Sequence, residues 1–310
     1  MNTHDKYIRF DWAAKRLLRN KANFSVLEGF LTVLIGEEFH ILEILESESN
    51  QTDKDDKFNR VDIKAKNSKD EIIIVEIQLT RELYYLERIL YGVAKAITEH
   101  ISLGNIYAEV KKIYSISILY FDLGKGNDYL YHGQNSFIGV HTGDKLIVNT
   151  KEKDMIVSKV PEEIFPEYFL IRVNEFNKVA VTPLEEWMEY LKNGIISSET
   201  QTPGLKEARE KLKYYNMTPA ERHAYDEHIN AIMIQNDVLS TAKLEGLMEG
   251  KAEGKAEGKA EGKAEGLAEG LAEGETKGIV KVAVAMKQKG IDIASIIECT
   301  GLDADFIASL

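Results

Sequence analysis

Two acidic residues, Asp62 and Glu76, are the first candidates for chemistry in this sequence because of how they flank a turn. Residues 60–66 and 71–79 have the composition of strands, and the polar residues 67–70 between them are typical of a turn. If the turn is centred on Lys69, Asp62 lies directly opposite Glu76, with Cβ atoms about 5 Å apart. Like charges in that arrangement are destabilising, so the pattern predicts a compensating cation.

The sequence leaves two kinds of cation open. Glu76 lies near the end of the apolar run IIIVEIQL, which is typical of a central strand covered on both sides. A buried carboxylate is usually paired or bound to metal, and Mg²⁺ is commonly held by one or two carboxylates. The alternative is a salt-bridged surface hairpin in which Arg60, Lys64 and Lys66 neutralise the acids, because charged residues on strands are mostly solvated.

Composition describes a globular chain with an uneven distribution of charge. Of its 310 residues, 44% are hydrophobic and 9% aromatic, which supports a packed core. The net charge of −12 argues against nucleic acid as a partner. Residues 1–150, however, contain 19 Lys and Arg against 22 Asp and Glu, and basic residues predominate in the first 24 positions. We therefore expect a nearly neutral body with a basic N-terminal segment.

Cysteine content and hydropathy indicate the compartment. A single cysteine, Cys299, rules out an internal disulfide framework and a cysteine-based zinc site. The sequence has no apolar stretch of about 18 residues and no N-terminal targeting pattern. The expectation is a cytoplasmic protein with no membrane partner.

The order of predicted elements indicates an α/β core followed by helical segments. Helical spacing before the hairpin, a long helix over residues 81–103 and a buried strand over 112–121 favour a mixed α/β domain. We predict that this domain occupies residues 1–180. A helical connector over 181–245, a low-complexity repeat over 246–278 and a small helical hairpin over 279–310, with a helix-turn-helix outline, are predicted to follow.

The repeat contains KAEG four times and LAEG twice between residues 251 and 274. Glycine inside a helix costs about 1 kcal/mol relative to alanine, and the charged pairs four residues apart carry like charges. The pattern favours a flexible or nascent-helical spacer over a glycine-seamed oligomerisation helix. Residues 291–310 contain four acids and no Lys or Arg, so packing or self-association is expected there instead of DNA binding.

Five ordered blocks carry a family resemblance: LEGFLTVLIG at 27–36, RVDIKA at 60–65, VEIQ at 75–78, ERILYG at 87–92 and GNIYAEVKKIYSISILYFDL at 104–123. Together they resemble the PD-(D/E)xK nuclease superfamily, and more narrowly its recombination-promoting nuclease or putative transposase branch, in which ExK commonly appears as ExQ. The resemblance covers roughly residues 5–180. It implies a restriction-endonuclease-like core, a mixed central sheet flanked by helices, with a helical C-terminal extension.

The resemblance implies a Mg²⁺-dependent DNA endonuclease, with Mn²⁺ as an alternative metal, that serves recombination or transposition. Asp62 and Glu76 would ligate the metal with help from the Ile77 carbonyl, and Glu28 would add a carboxylate or position a water molecule. Gln78 stands where the superfamily usually has a lysine, and an amide carries no positive charge.

Two questions stay open at this point. Lys64 shares a strand face with Asp62 and is a candidate for the missing positive charge, but it is equally consistent with a solvated strand lysine. The chain as a whole could also be a catalytically inactive nuclease-fold protein that binds or assembles, with a homo-oligomer formed through its C-terminal helical region. Retention of both Asp62 and Glu76 favours the enzyme, because unfavourable charge pairs tend to mark functional sites.

Overall fold

The computed structural model describes residues 7–45, 62–101, 107–152 and 155–310. The predictions for Arg60, for the first two positions of the 60–66 strand and for the end of the 81–103 helix lie outside the described residues. The chain divides into two compact units, Met1–Tyr225 and Asp226–Leu310.

The strands of the described residues belong to the N-terminal unit. They are β1 (Ile41–Ile44), β2 (Ile63–Asn67), β3 (Ile72–Gln78), β4 (Ile113–Leu119), β5 (Leu130–Gly133), β6 (Val148–Glu152), β7 (Met155–Lys159) and β8 (Glu167–Arg172). A mixed sheet has the order β1-β2-β3-β4-β8-β5, and β6 pairs separately with β7. The pairs β3–β4 and β4–β8 are parallel, whereas β1–β2, β2–β3 and β5–β8 are antiparallel.

The helices are α1 (Phe10–Arg16), α2 (Phe24–Ile35), α3 (Tyr85–Glu99), α4 (Pro183–Asn193), α5 (Leu205–Lys211), α6 (Pro219–Gln288), α7 (Ile293–Thr300) and α8 (Ala304–Ser309). None of the helices in the described parts of the chain contains a stretch both long and apolar enough to span a bilayer. The mixed sheet with flanking helices and a helical C-terminal extension is the restriction-endonuclease-like fold that the sequence predicts.

The centre of the sheet follows from two apolar runs. Every residue of β4 is buried, and in β3 only Gln78 is partly exposed. Parallel strands covered on both faces need such continuous apolar runs, because neither face meets water. The connection from β3 to β4 passes through α3, whose Val93 and Ala96 pack against Ile72 and Ile74. This places the first turn of α3 next to the end of β3.

An aromatic cluster joins helices that are distant in the sequence. The Phe30 ring lies 5.6 Å from the Phe10 ring and 5.0 Å from the Trp187 ring, measured between centroids. Tyr190 donates a hydrogen bond from its hydroxyl to the Ile8 carbonyl at 2.6 Å. These contacts bury Trp187 and Tyr190 of α4 within the N-terminal unit, which extends to Tyr225, and the domain boundary at residue 180 stays a prediction.

The repeat is helical in the structure, where the sequence favoured a flexible or nascent-helical spacer. It lies within α6, which runs without interruption from Pro219 to Gln288. Ala, Glu, Lys and Leu are good helix formers and fill three of every four positions. Once a helix is nucleated, each further residue adds one hydrogen bond while the conformation of only that residue has to be fixed. The glycines meet open space: a Cβ added at Gly254 would have no neighbour within 4 Å.

The C-terminal unit contains a small helical core. Ala283 of α6, Ile296 of α7 and Ile307 of α8 are fully buried against one another. Asp292 and Asp303 cap α7 and α8 by accepting hydrogen bonds from the backbone N–H groups three residues ahead, at 3.0 and 2.8 Å. The helical hairpin predicted for residues 279–310 therefore corresponds to the end of α6 followed by α7 and α8.

Candidate active site

The β2–β3 hairpin has the register that a turn centred on Lys69 predicts. Ile63 pairs with Val75 and Lys64 pairs with Ile74. One step further along the same register, Asp62 lies opposite Glu76, at the open end of the hairpin. In the turn itself Asp70 adopts a left-handed conformation with φ of 65°. We refer to Asp62 and Glu76 as the acid pair.

Asp62 is linked to the backbone that follows Glu76. Its Oδ2 accepts a hydrogen bond from the Ile77 N–H at 2.7 Å. Its Oδ1 lies 3.4 Å from Nζ of Lys15, the penultimate residue of α1. The Asp62 side chain is 20% exposed. The carboxylate is therefore fixed against β3 on one side and accessible to a cation on the other.

Glu76 is 5% exposed and lies among groups of both charges. The Tyr85 hydroxyl donates to its Oε2 at 3.3 Å, and Nη2 of Arg88 lies 3.8 Å from the same oxygen. Burial raises the pKa of Glu76 above its ordinary value, and the charges of Asp62 and Glu82 raise it further, while Arg88 and the Tyr85 hydrogen bond oppose the shift. The net shift is upward because the cost of burying the carboxylate exceeds the stabilisation that Arg88 and Tyr85 give to its charged form.

The first turn of α3 supplies the groups around Glu76. Tyr85 and Arg88 are three residues apart and so lie on one face of the helix. Burial, followed by the charge of Glu76, raises the pKa of Tyr85, so its hydroxyl stays protonated and acts as a donor. Arg88 also donates from Nη1 to Glu82 Oε2 at 2.7 Å. Arg88 therefore lies between Glu76 and a further acid, Glu82.

Three other residues predicted for the site make bonds of their own in the structure. Gln78 ends β3 and donates from Nε2 to the Thr80 carbonyl at 3.2 Å. Lys64 is buried, and its Nζ lies 2.5 Å from Glu99 Oε2. Glu28 Oε1 accepts a hydrogen bond from the Ile41 N–H at 2.8 Å, which ties α2 to the start of β1.

These contacts distinguish residues that the fold brings together from residues with other partners. Asp62, Glu76 and the Ile77 peptide meet at the end of the hairpin. The lysines of the surface-hairpin alternative bond elsewhere, Lys64 to Glu99 and Lys66 to Asp70. Within the described ranges the acid pair therefore meets cations from two helices, α1 and α3, in place of cations from its own strand.

Two groups that contact the acid pair, Lys15 and Tyr85, are absent from the site predicted from the sequence. In the sequence Lys15 belongs to the basic N-terminal segment, and Tyr85 is one of several tyrosines near the start of the long helix. For Lys15 the available signal was its position in a basic helix end that precedes the hairpin. Tyr85 has no local signal, because a buried tyrosine of the core has the same sequence pattern.

The acid pair fits a hard divalent cation. It presents carboxylate oxygens, the ligands that Mg²⁺ and Mn²⁺ prefer, and a bound cation would offset the cost of burying the Glu76 charge. Among the residues that the structure describes, no group of three His, Cys, Asp or Glu side chains is close enough to hold a metal, so Glu28 does not complete a three-acid site. A cation bound by Asp62 and Glu76 would take its remaining ligands from water and phosphate oxygens, as Mg²⁺ commonly does.

Comparison with known proteins identifies a family for this chain. No curated protein and no solved structure gives a significant match to the chain. A family model described as PD-(D/E)XK nuclease family transposase matches residues 8–242, which include the hairpin, α3 and the aromatic cluster. The chain therefore belongs to the PD-(D/E)XK nuclease family transposases.

Proposed function

We propose that this protein is a DNA endonuclease that hydrolyses phosphodiester bonds with Mg²⁺, or Mn²⁺ in its place, in recombination or transposition. Family membership supports a nuclease or transposition role, and nucleases of this superfamily typically use divalent metals. The observation that carries the proposal is the acid pair: two carboxylates opposed across a hairpin, one of them buried with a raised pKa. Buried acids with perturbed pKa values tend to mark functional sites.

The residues of the candidate site would have different roles in metal binding. Asp62 and Glu76 would hold the metal, and the Ile77 N–H keeps the Asp62 carboxylate oriented. The Tyr85 hydroxyl bonds to Glu76 and fixes its position. When bound, the metal would lower the pKa of a water molecule and stabilise negative charge on the phosphate. This chemistry needs no nucleophile from the protein.

Gln78 and Arg88 lie next to the acid pair and would have different roles. Gln78 would orient a water molecule or a phosphate oxygen through its amide, at the cost of its bond to Thr80. Arg88 would hold the charge balance around Glu76 as the substrate enters, since it lies between Glu76 and Glu82.

The proposed function is tested by cleavage of supercoiled plasmid. The full-length protein is incubated with Mg²⁺, with Mn²⁺ and with EDTA, beside Asp62→Asn and Glu76→Gln. Asp70→Asn is the matched control, because it removes an acid from the turn of the same hairpin. We expect metal-dependent nicking or linearisation that both site variants lose and the control keeps.

A specific cleavage result would refute the proposed function. Equal background cleavage by all four folded proteins, in Mg²⁺ and in Mn²⁺, would refute the nuclease and favour the inactive binding or assembly protein. In that case the C-terminal helical region becomes the place to seek function.

Self-association through the C-terminal helical region remains part of the proposal. Exposed apolar side chains on α6, among them Ile234, Val238 and Leu247, support it, because such residues lose contact with water when helices pair. Light scattering on the full chain, beside a variant with Ile234 and Val238 changed to Lys, tests it: a smaller mass for the variant alone is expected. The cytoplasmic location stays a prediction from the sequence.

A further inference from the structure

The proposed cleavage site lacks an assigned positive charge that a substrate could reach. Gln78 is neutral. Lys64, the alternative source, has a side chain only 9% exposed, and its Nζ lies 2.5 Å from Glu99. A phosphate would have to displace Glu99 and enter a buried space to meet it. The cost of separating such a buried pair argues against Lys64 in this role.

Lys15 combines contact with the acid pair and access to solvent. Its Nζ lies 3.4 Å from Asp62 Oδ1, and its side chain is 48% exposed. By comparison, Arg88 is 29% exposed and held by Glu82 at 2.7 Å. Lys15 is therefore the described cation at this site that can change partners at the lowest cost, because an exposed ion pair contributes little, about 0–1 kcal/mol.

Helix α1, which carries Lys15, is held in place by aromatic packing. Phe10 packs edge-on against Trp187 with ring centroids 5.9 Å apart, and the Arg16 guanidinium lies 4.2 Å above the Trp12 ring. Phe10, Trp12, Ala13 and Ala14 are buried, so α1 is held in place and with it the backbone of Lys15. Its side chain, with four carbons and rotatable bonds, leaves the ammonium free to move between neighbouring acceptors.

We propose that Lys15 supplies the positive charge at the cleavage site, an inference that rests on the proposed function. In the metal-free protein its ammonium neutralises Asp62. Once a divalent cation is bound to the acid pair, repulsion between the two cations releases the ammonium, which then binds an oxygen of the phosphate to be cut. Lys15 of α1 thus supplies the positive charge that Gln78 of β3 lacks.

The residues after Lys15 support this direction of approach. Arg16, Arg19 and Lys21 are all exposed and follow Lys15 at the end of α1. In a chain of net charge −12, this basic segment offers phosphate contacts next to Lys15 in the sequence. It also provides a matched control, because Lys21→Gln removes the same charge from the same segment.

The first readout is metal binding without DNA. Mn²⁺ is titrated into the full-length protein and its Lys15→Gln, Lys15→Arg, Lys21→Gln and Asp62→Asn variants, with free Mn²⁺ followed by electron paramagnetic resonance. Lys15→Gln is expected to bind Mn²⁺ about tenfold more tightly, because a competing cation is removed. Lys15→Arg and Lys21→Gln should bind like the unchanged protein, and Asp62→Asn should lose binding.

The second readout is plasmid cleavage at saturating Mg²⁺. Lys15→Gln is expected to cleave about 100-fold more slowly, the usual loss when one charge-stabilising group is removed. Lys15→Arg should keep much of the rate, and Lys21→Gln nearly all of it. Tighter metal binding combined with slower cleavage is a combination that a merely structural lysine would not produce.

Two results would overturn the inference. If Lys15→Gln cleaves like the unchanged protein while Asp62→Asn is inactive, Lys15 is excluded and the nuclease stands. If Lys15→Gln loses metal binding together with cleavage, its role is structural. Failure of the proposed function looks different: the unchanged protein then neither cleaves nor binds Mn²⁺ through Asp62.

Discussion

Replacing Glu76 by glutamine should stabilise the metal-free protein while it abolishes cleavage. Glutamine keeps the shape of glutamate and can still accept the Tyr85 hydrogen bond, but it removes a buried charge that faces Asp62. Two like charges about 5 Å apart repel by about 1 kcal/mol in water and by about 3 kcal/mol at the effective dielectric of a protein surface. Asp62 is partly exposed and has Lys15 as a partner, so a value between these limits, about 2 kcal/mol, applies.

Loss of the attraction to Arg88 reduces that gain. Arg88 lies 3.8 Å from Glu76, is partly exposed and keeps its closer partner Glu82, so we subtract about 0.5–1 kcal/mol. The net expectation is a stabilisation of about 1–1.5 kcal/mol. For a folded unit of this size that raises Tm by about 4 °C.

The pH dependence of stability is a second test of whether Glu76→Gln stabilises the protein. The folded-state pKa of Glu76 lies above its ordinary value of 4.5, so folding favours the protonated carboxyl. The free energy of unfolding of the unchanged protein should therefore fall as pH rises from about 4.5 through the folded-state pKa. Glu76→Gln should lack this fall, so the two proteins should converge in acid and separate towards neutral pH.

The assay is thermal unfolding in EDTA, from pH 4 upwards, with Asp70→Asn as the control. Lys111 and Lys66 hold the pKa of Asp70 below its ordinary value, so removing that charge should destabilise slightly, the opposite sign from Glu76→Gln. Addition of Mg²⁺ should raise the Tm of the unchanged protein and leave Glu76→Gln unaffected. A Glu76→Gln protein less stable than the unchanged one at neutral pH in EDTA would refute the reasoning, because Arg88 would then outweigh the repulsion.

Three further outcomes are expected. Tyr85→Phe should move the acid limb of the cleavage–pH profile to higher pH, by the equivalent of about 1 kcal/mol, because Glu76 loses a hydrogen bond to its charged form; an unchanged profile would contradict that role. Gly29→Ala should destabilise by about 3 kcal/mol in urea unfolding, because the new Cβ would lie 2.1 Å from the Gly204 backbone nitrogen; wild-type stability would refute the close packing of α2 on the turn before α5. Gly254→Ala, in open space on α6, should instead raise helicity by circular dichroism and add about 1 kcal/mol to the helix, and a loss of signal would contradict a continuous helix.

Local features of the sequence were enough to predict the hairpin and the acid pair. Strand alternation and the polar turn centred on Lys69 fix which residues oppose one another, because a register shift by one residue would turn every side chain to the other face. The continuous apolar runs of β3 and β4 likewise predict the buried centre of the sheet. These inferences hold because they depend on residues within a few positions of one another.

Strand β8 and the repeat show where local features were insufficient. The sequence assigns residues 151–180 only to the end of the α/β domain, yet β8 joins the main sheet as the parallel neighbour of β4. That pairing depends on contacts between residues far apart in the chain. For the repeat, weak propensity at each glycine was outweighed by propagation of α6 along its neighbours.

The cations around the acid pair were decided by tertiary structure alone. Lys64 is two residues from Asp62, but the end of α3 places Glu99 against it. Lys15 is distant from Asp62 in the sequence. Packing of Phe10 on Trp187 nevertheless positions α1 so that the Lys15 ammonium reaches Asp62. Sequence spacing determines which side chains share a strand face, whereas the helix that covers that face, and so the charge at the site, follows from core packing between distant segments.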